Sequence, residues 1–282
     1  MYKIVGLGKT GCAIADEFSE YPEYRVYKIN SEINERASLS LGVFADIEQY
    51  ETQADKDEIS IYLRTVKPGD EVLFIVEGGE PITGASLSIL ETIKDCKINV
   101  LYIMPDRDLC SLLQKRDDRV CFYVFQEYAR SGLFENLFLV DRTTVESLMG
   151  EVSIQDHEKQ FSYFVAYIFA MLNYFKNTDP VLSGETKKSD LSRISTLGIC
   201  SLKVKDNYLF PIDEAKETMF YYGVPGKDLD ANTGLMREIK THVKSDNPGV
   251  SAGFSIIPTT LDDILIISVC YSSKVQKMPK EF

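Results

Sequence analysis

The first eighteen residues, MYKIVGLGKTGCAIADEF, restrict the fold more than any other stretch of the chain. Residues 2–5 have the composition of a short buried strand, Gly6, Gly8 and Gly11 stand in G-x-G-x-x-G spacing, and residues 12–18 begin an amphipathic helix. The implied unit is a strand, a tight turn and a helix N-terminus. Without a Cβ, the turn lets backbone approach an anion closely, and the unpaired N–H groups and dipole of the helix favour negative charge. Lys9 and Cys12 lie in the same turn and join the glycines as candidate nucleotide-binding residues. The same glycines also suit close packing of helix on strand, so the motif alone leaves both readings open.

The chain then repeats the pattern. Residues 24–30 (YRVYKIN) read as a second strand, after which Glu32 or Asn30 is the candidate for holding a ribose hydroxyl; a solvated loop opening a helix is the plain alternative. Residues 41–58 are an acidic loop leading into a helix that continues to Val66, and residues 67–70 form a turn. EVLFIV (71–76) is a continuous apolar run of the buried parallel type, followed by a second glycine-containing loop and helix, GGEPITGASLSILETIKDC. Residues 97–104 and 137–140 supply further strands. Strands alternating with helices predict a parallel sheet covered on both faces, with its ligand edge at the carboxyl ends of the strands, where both glycine loops fall.

Residues 157–176, HEKQFSYFVAYIFAMLNYFK, are apolar nearly all round the helical wheel. The charge-free part, 160–175, is shorter than the roughly twenty residues of a membrane span, so a helix buried between layers or domains is expected, with no membrane span. A loop at 177–190 follows. From Ile194 the pattern changes to strands with helices on one side: ISTLGICSLKV, a helix near 213–222, a helix near 232–242, and a final hairpin of residues 253–258 and 263–271. The expected organisation is a Rossmann-like nucleotide-binding domain over 1–155, a central helix and linker over 156–180, and a smaller α+β domain over 181–282.

Charge narrows the partners. A formal net charge of −12 argues against nucleic acid and anionic membrane, both of which need a basic surface. The six cysteines are scattered without a C-x-x-C pair, and the chain enters its first strand without a basic and apolar leader, so reduced core thiols in a cytoplasmic protein are expected. His157 and His242 are far apart, which leaves no zinc site, and each reads as a surface or satisfied core residue.

The order of parts resembles the tubulin and FtsZ superfamily. VGLGKTGCAIADEF is similar to its first phosphate loop, VYKINSE to its second strand, VLFIVEGGEPITGASLSILETIK to the region of its glycine-rich signature loop, and FLVDRTTVESL to the segment entering its central helix. The resemblance implies the α/β fold above, GTP or GDP with magnesium at Gly6, Gly8, Lys9, Gly11, Cys12, Asn30, Gly78, Gly79, Thr83 and Gly84, and head-to-tail association of the chain with itself. It also implies a catalytic acid supplied in trans, for which Asp190 is the candidate, with Glu185 and Asp179 nearby.

Departures from the family pattern shape the functional expectation. Gly78, Gly79, Thr83 and Gly84 match the signature loop, whereas Glu80, Pro81 and Ile82 do not. Proline lacks an N–H, and a carboxylate beside a triphosphate repels it unless a cation such as magnesium intervenes. Phe164 and Val165 stand where the family reads the guanine edge, and Arg142 stands near a common Asn. The favoured expectation is a divergent member with a reduced or altered nucleotide site, acting in assembly or protein binding, with no bound cofactor as an equal alternative. The rivals are a polymerising GTPase with GTP at the subunit interface, a Rossmann-type NAD-binding enzyme or sensor, and a structural protein whose glycine loops only pack.

Overall fold

The computed structural model describes residues 1–32, 38–184, 188–202, 204–245 and 249–278. They form two compact units: Met1–Ala166 joined by Lys277 and Met278, and Tyr167–Gln276. The first unit contains, in order, β1 (Tyr2–Leu7), α1 (Gly8–Glu17), β2 (Tyr24–Asn30), β3 (Ser38–Ser40), α2 (Ile47–Gln53), α3 (Lys56–Tyr62), β4 (Glu71–Glu77), α4 (Ser86–Thr92), β5 (Lys97–Met104), α5 (Leu112–Ser131), β6 (Asn136–Asp141) and α6 (Arg142–Met149). Its strands lie in the order β3-β2-β1-β4-β5-β6, and every pairing is parallel. The strand interiors are buried throughout, from Ile4 and Val5 to Val100 and Leu139, as a sheet covered on both faces requires.

Parallel pairing puts the carboxyl ends of β1, β2, β4, β5 and β6 on one edge. α1 is pressed against that sheet through glycine. A Cβ on Gly11 would lie 2.5 Å from the carbonyl oxygen of Ile75 on β4, and one on Gly6 would lie 2.3 Å from the carbonyl oxygen of Gly11. The expected acidic loop and continuous helix over 41–66 resolve instead into α2 and α3. Asp46 caps α2 by accepting from the Gln49 N–H, and Asp55 starts a new helix by accepting from the N–H groups of Asp57 and Glu58. Residues 105–135, for which the sequence reading gave no element, hold the twenty-residue α5, started by a reciprocal Ser111–Gln114 capping box and ended at Gly132.

The helix α7 (His157–Lys176) runs across the division between the units. Phe161, Val165, Ile168, Phe169, Leu172 and Phe175 are buried along it, while Tyr163 and Tyr174 are exposed. Residues 164–173 include no exposed position, and exposure is confined to the two ends of the helix, where Tyr163 and Tyr174 keep their hydroxyls in water. Among the described residues, no helix is long and apolar enough to cross a membrane.

The second unit contains β7 (Leu182–Gly184), β8 (Ile194–Ser201), β9 (Val204–Tyr208), β10 (Glu217–Pro225), α8 (Gly226–Ala231), α9 (Leu235–Ser245), β11 (Ser251–Thr259) and β12 (Leu265–Ser272). Its strand order is β8-β12-β10-β11-β7, with β9 on β8. Two sequence expectations are corrected. Residues 217–225 are a strand, not a helix, since Phe220, Tyr222 and Val224 alternate onto a core shared with Leu235 and Ile239 of α9. The last two strands form no hairpin, because β10 lies between them, parallel to β11 and antiparallel to β12.

The close approach of α1 gives a direct test. Gly11→Ala should lower unfolding stability by about 1–3 kcal/mol through overpacking against Ile75, measured by urea denaturation. An unchanged midpoint would show that α1 has room to move.

Candidate functional site

The carboxyl edge of the first unit is built around the start of α1. Gly8 opens the helix at φ +77°, a region that L side chains avoid. The N-cap position is Leu7, which has no polar side chain, and the first turn carries no acidic residue. The first N–H groups of α1 therefore need an acceptor from elsewhere. Glu80, from the loop after β4, supplies it. The Lys9 N–H donates to Glu80 Oε2 at 3.2 Å, and the Thr10 N–H also bonds this carboxylate. A Cβ on Gly8 would fall 2.0 Å from the same Oε2.

Local structure holds Glu80 in place. β4 ends at Glu77, the chain turns through Gly79 at φ +79°, and Pro81 begins a 3-10 turn over Pro81–Ala85 where its missing N–H leaves no bond unmade. Thr83 fixes the backbone, its N–H and hydroxyl donating to the Glu80 carbonyl at 3.0 and 2.8 Å. Its hydroxyl also accepts from Cys121 Sγ at 3.4 Å. Gly78 and Gly84 sit against close neighbours: a Cβ on Gly78 would meet the Tyr102 hydroxyl at 2.1 Å, and one on Gly84 the Ile47 carbonyl at 2.0 Å.

Beneath this loop is a buried ion pair that the sequence gave no means to find. Arg142 Nε donates to Glu77 Oε1 at 2.7 Å, and its Nη2 reaches Glu77 Oε2 at 3.3 Å and Thr10 Oγ1 at 3.1 Å. The Thr10 hydroxyl in turn donates to Glu77 Oε2. Arg142 also lies 4.1 Å from the centre of the Phe161 ring and reaches Glu146 and Glu158. Both members of the central pair are under a tenth exposed, so the guanidinium's directed bonds compensate a charge removed from water.

A second buried group flanks Gly78. The Tyr102 hydroxyl donates to Asp118 Oδ1 at 2.7 Å, and Arg107 pairs with Asp118 Oδ2. Burial pushes the Asp118 carboxyl up, while Tyr102 and Arg107 pull it back.

The electrostatics of Glu80 follow from these neighbours. Burial first, and the Glu77 carboxylate second, push its carboxyl up to about 7, against the opposing pull of Lys9 and the Thr10 N–H. A terminal phosphate at α1 needs the same N–H groups that Glu80 uses, and like charges in a partly dry site repel strongly. The donors left over are few, since Pro81 contributes none. While ionised and in place, Glu80 occupies N–H groups that a phosphate at the start of α1 would use.

The remaining candidates divide between two locations. Lys9, Cys12, Asp16, Lys28, Asn30 and Glu32 line a cleft of about 300 Å³ beside α1. There Lys28 pairs with Asp16 at 2.7 Å, the Asn30 side chain accepts from the Ser31 N–H at 2.8 Å, and the Cys12 thiol donates to the carbonyls of Gly6 and Ile29. Asp190 and Asp179 are exposed residues of the second unit, and the Asp190 carbonyl accepts from Arg193 Nε at 2.9 Å. Glu185 lies outside the described residues. Among the described residues no group of three or more His, Cys, Asp or Glu is placed to hold a metal.

No protein-family model and no curated protein sequence matches the chain. Solved structures do. An empty FtsZ dimer from M. jannaschii superposes with a TM-score of 0.70 at 13% identity, covering 96% of this chain and 88% of that one. CetZ2 from Haloferax volcanii, in a GTPγS-bound protofilament, gives 0.71 at 15% identity, covering 96% and 92%. TubZ from Bacillus thuringiensis serovar israelensis, in a GTPγS-form protofilament, gives 0.71 at 13% identity, covering 96% and 86%.

Two substitutions test the site. The folded state holds the Glu80 proton more tightly than the unfolded chain, so its contribution to stability is fully present below about pH 4.5 and is lost as pH rises through about 7. Relative to Glu80→Gln, the parent should therefore lose about 3–4 kcal/mol across that window, read from urea denaturation at a series of pH values. Parallel profiles would contradict the burial of an ionisable Glu80. Arg142→Met, which strands Glu77, should lower stability by about 3–5 kcal/mol in the same assay at neutral pH.

Proposed function

We propose, from a tubulin/FtsZ-like fold, that this chain is a self-assembling protein whose phosphate position is filled by its own Glu80 carboxylate, leaving it with little or no GTPase activity. The fold is supported by solved structures that cover 96% of the chain. Those neighbours were solved as a dimer and as protofilaments, which motivates assembly of copies of this chain. The reduced nucleotide site rests on one observation above the others: Glu80 Oε2 accepts the N–H of Lys9 at the start of α1. Electrostatic catalysis of phosphoryl transfer depends on positioned groups around the phosphates. Here the threonine hydroxyl of the second loop is turned onto the Glu80 carbonyl instead.

The rival reading keeps a nucleotide. It draws on the cleft lined by Lys9, Cys12, Asn30 and Glu32, and on neighbours solved in GTPγS and GDP forms. In that reading Asp190 acts in trans on GTP held with magnesium, or Glu32 holds a ribose of NAD.

The two readings separate in a thermal-shift titration of nucleotide-stripped protein with GTP, GDP, ATP and NAD, with and without magnesium, paired with sedimentation. A ligand at about a hundred times its Kd stabilises the folded state by roughly 2.7 kcal/mol. The parent should show no shift with guanine nucleotides and sediment equally with and without GTP, whereas Glu80→Ala should acquire a GTP-dependent shift. A guanine-nucleotide shift in the parent, with assembly that tracks GTP, would establish the GTPase reading, and a shift with NAD alone the dinucleotide reading. Failure of Glu80→Ala to gain affinity would remove Glu80 as the obstacle.

A further inference from the structure

The second unit contains a constellation that nucleotide chemistry does not use. Cys200, near the end of β8, places its Sγ 3.7 Å from Nε2 of His242 in the last turn of α9. The opposite ring nitrogen, Nδ1, is 2.7 Å from the hydroxyl of Tyr222 on β10. Tyr222 and His242 are buried, and Phe220 meets the imidazole edge-on at 5.3 Å. The ring is thus held by packing and by Tyr222, with one nitrogen facing a half-buried thiol.

This arrangement suits proton transfer from sulfur to nitrogen. With Nδ1–H donating to the Tyr222 oxygen, Nε2 is left as an acceptor for the Cys200 proton. After transfer, both N–H groups of the imidazolium have acceptors, Tyr222 on one side and the thiolate on the other. The last turn of a helix also favours a cation, and His242 occupies that turn in α9.

Other thiols are placed differently. Burial first, and nearby carboxylates such as Asp70 and Asp118 next, push Cys96 and Cys110 up. Burial pushes Cys121 up to about 11. Cys12 donates its proton to backbone carbonyls.

We propose that Cys200, activated by His242 and oriented through Tyr222, is a modification site that exchanges with low-molecular-weight disulfides. In the step, the Cys200 thiolate attacks one sulfur of oxidised glutathione. A Cys200–glutathione disulfide forms, the reagent's S–S bond breaks, and the departing glutathione thiolate takes up the proton that His242 removed from Cys200. One disulfide is consumed and one is formed, so no further oxidant enters. The mark is reversible by the same exchange. Cys200 packs beside the cluster of Phe220, Tyr222, Leu235 and Ile239, so an added tripeptide must displace it from that core.

The test incubates the intact folded chain with oxidised glutathione at neutral pH and follows each cysteine by peptide mass mapping. Cys200 should react at least about tenfold faster than the comparably half-buried Cys96 and Cys110, and His242→Gln should bring it down to their rate. Tyr222→Phe, which keeps the ring but removes the oxygen, should slow Cys200 while leaving Cys96 unchanged. The proposal is overturned if Cys200 in the folded parent reacts no faster than Cys96. An unchanged Cys200 rate in a folded His242→Gln variant overturns it equally.

Discussion

An uncapped helix N-terminus must find an anion or acceptor, and in this chain it finds Glu80. Leu7 at the N-cap has no oxygen to offer, so the first N–H groups of α1 point into the space left by Gly8. The carboxylate that fills it comes from a loop shaped by Gly79, Pro81 and Thr83. The Glu77–Arg142 pair, locked to α1 by the Thr10 hydroxyl, fixes the floor on which that loop rests. A carboxylate already held in place by its loop loses little conformational freedom on accepting these N–H groups. An external phosphate at α1 would compete for the same N–H groups.

The same geometry explains why a glycine motif is an ambiguous signal. Gly6 and Gly11 are required by the approach of α1 to β1 and β4, whether or not a ligand is bound, while Gly8 is required by a positive φ and by the Glu80 carboxylate. Packing and anion binding thus select the same residue at the same spacing. The fold is shared with solved structures at 13–15% identity, and a shared fold leaves the chemistry at the sheet edge free to differ.

What was legible in the sequence was what short-range physics decides. The strand, turn and helix at the N-terminus and the buried runs of β4 and β5 each carry their signal within a dozen residues. β10 was misread because residues 213–222 contain good helix formers, and the burial of Phe220 and Tyr222 against α9 overrode them. The last two strands were misread as a hairpin because proximity in sequence is the only local guide to pairing. Glu80 was legible as a group hostile to triphosphate. Its partner, the N–H of Lys9, lies 71 residues away, and Arg142 lies 65 residues from Glu77, so no spacing rule joins them. The Tyr222–His242–Cys200 contact is hidden in the same way across three elements.

The Glu80 carboxylate caps α1 through the N–H groups of Lys9 and Thr10. The most direct measurement is a pH titration of the backbone amide resonances of Lys9 and Thr10 by nuclear magnetic resonance, in the parent and in Glu80→Gln. Both amides should shift together in the parent with a midpoint of about 7, and this step should disappear in the variant. Amides that ignore pH in the parent, or that titrate identically in both proteins, would contradict it.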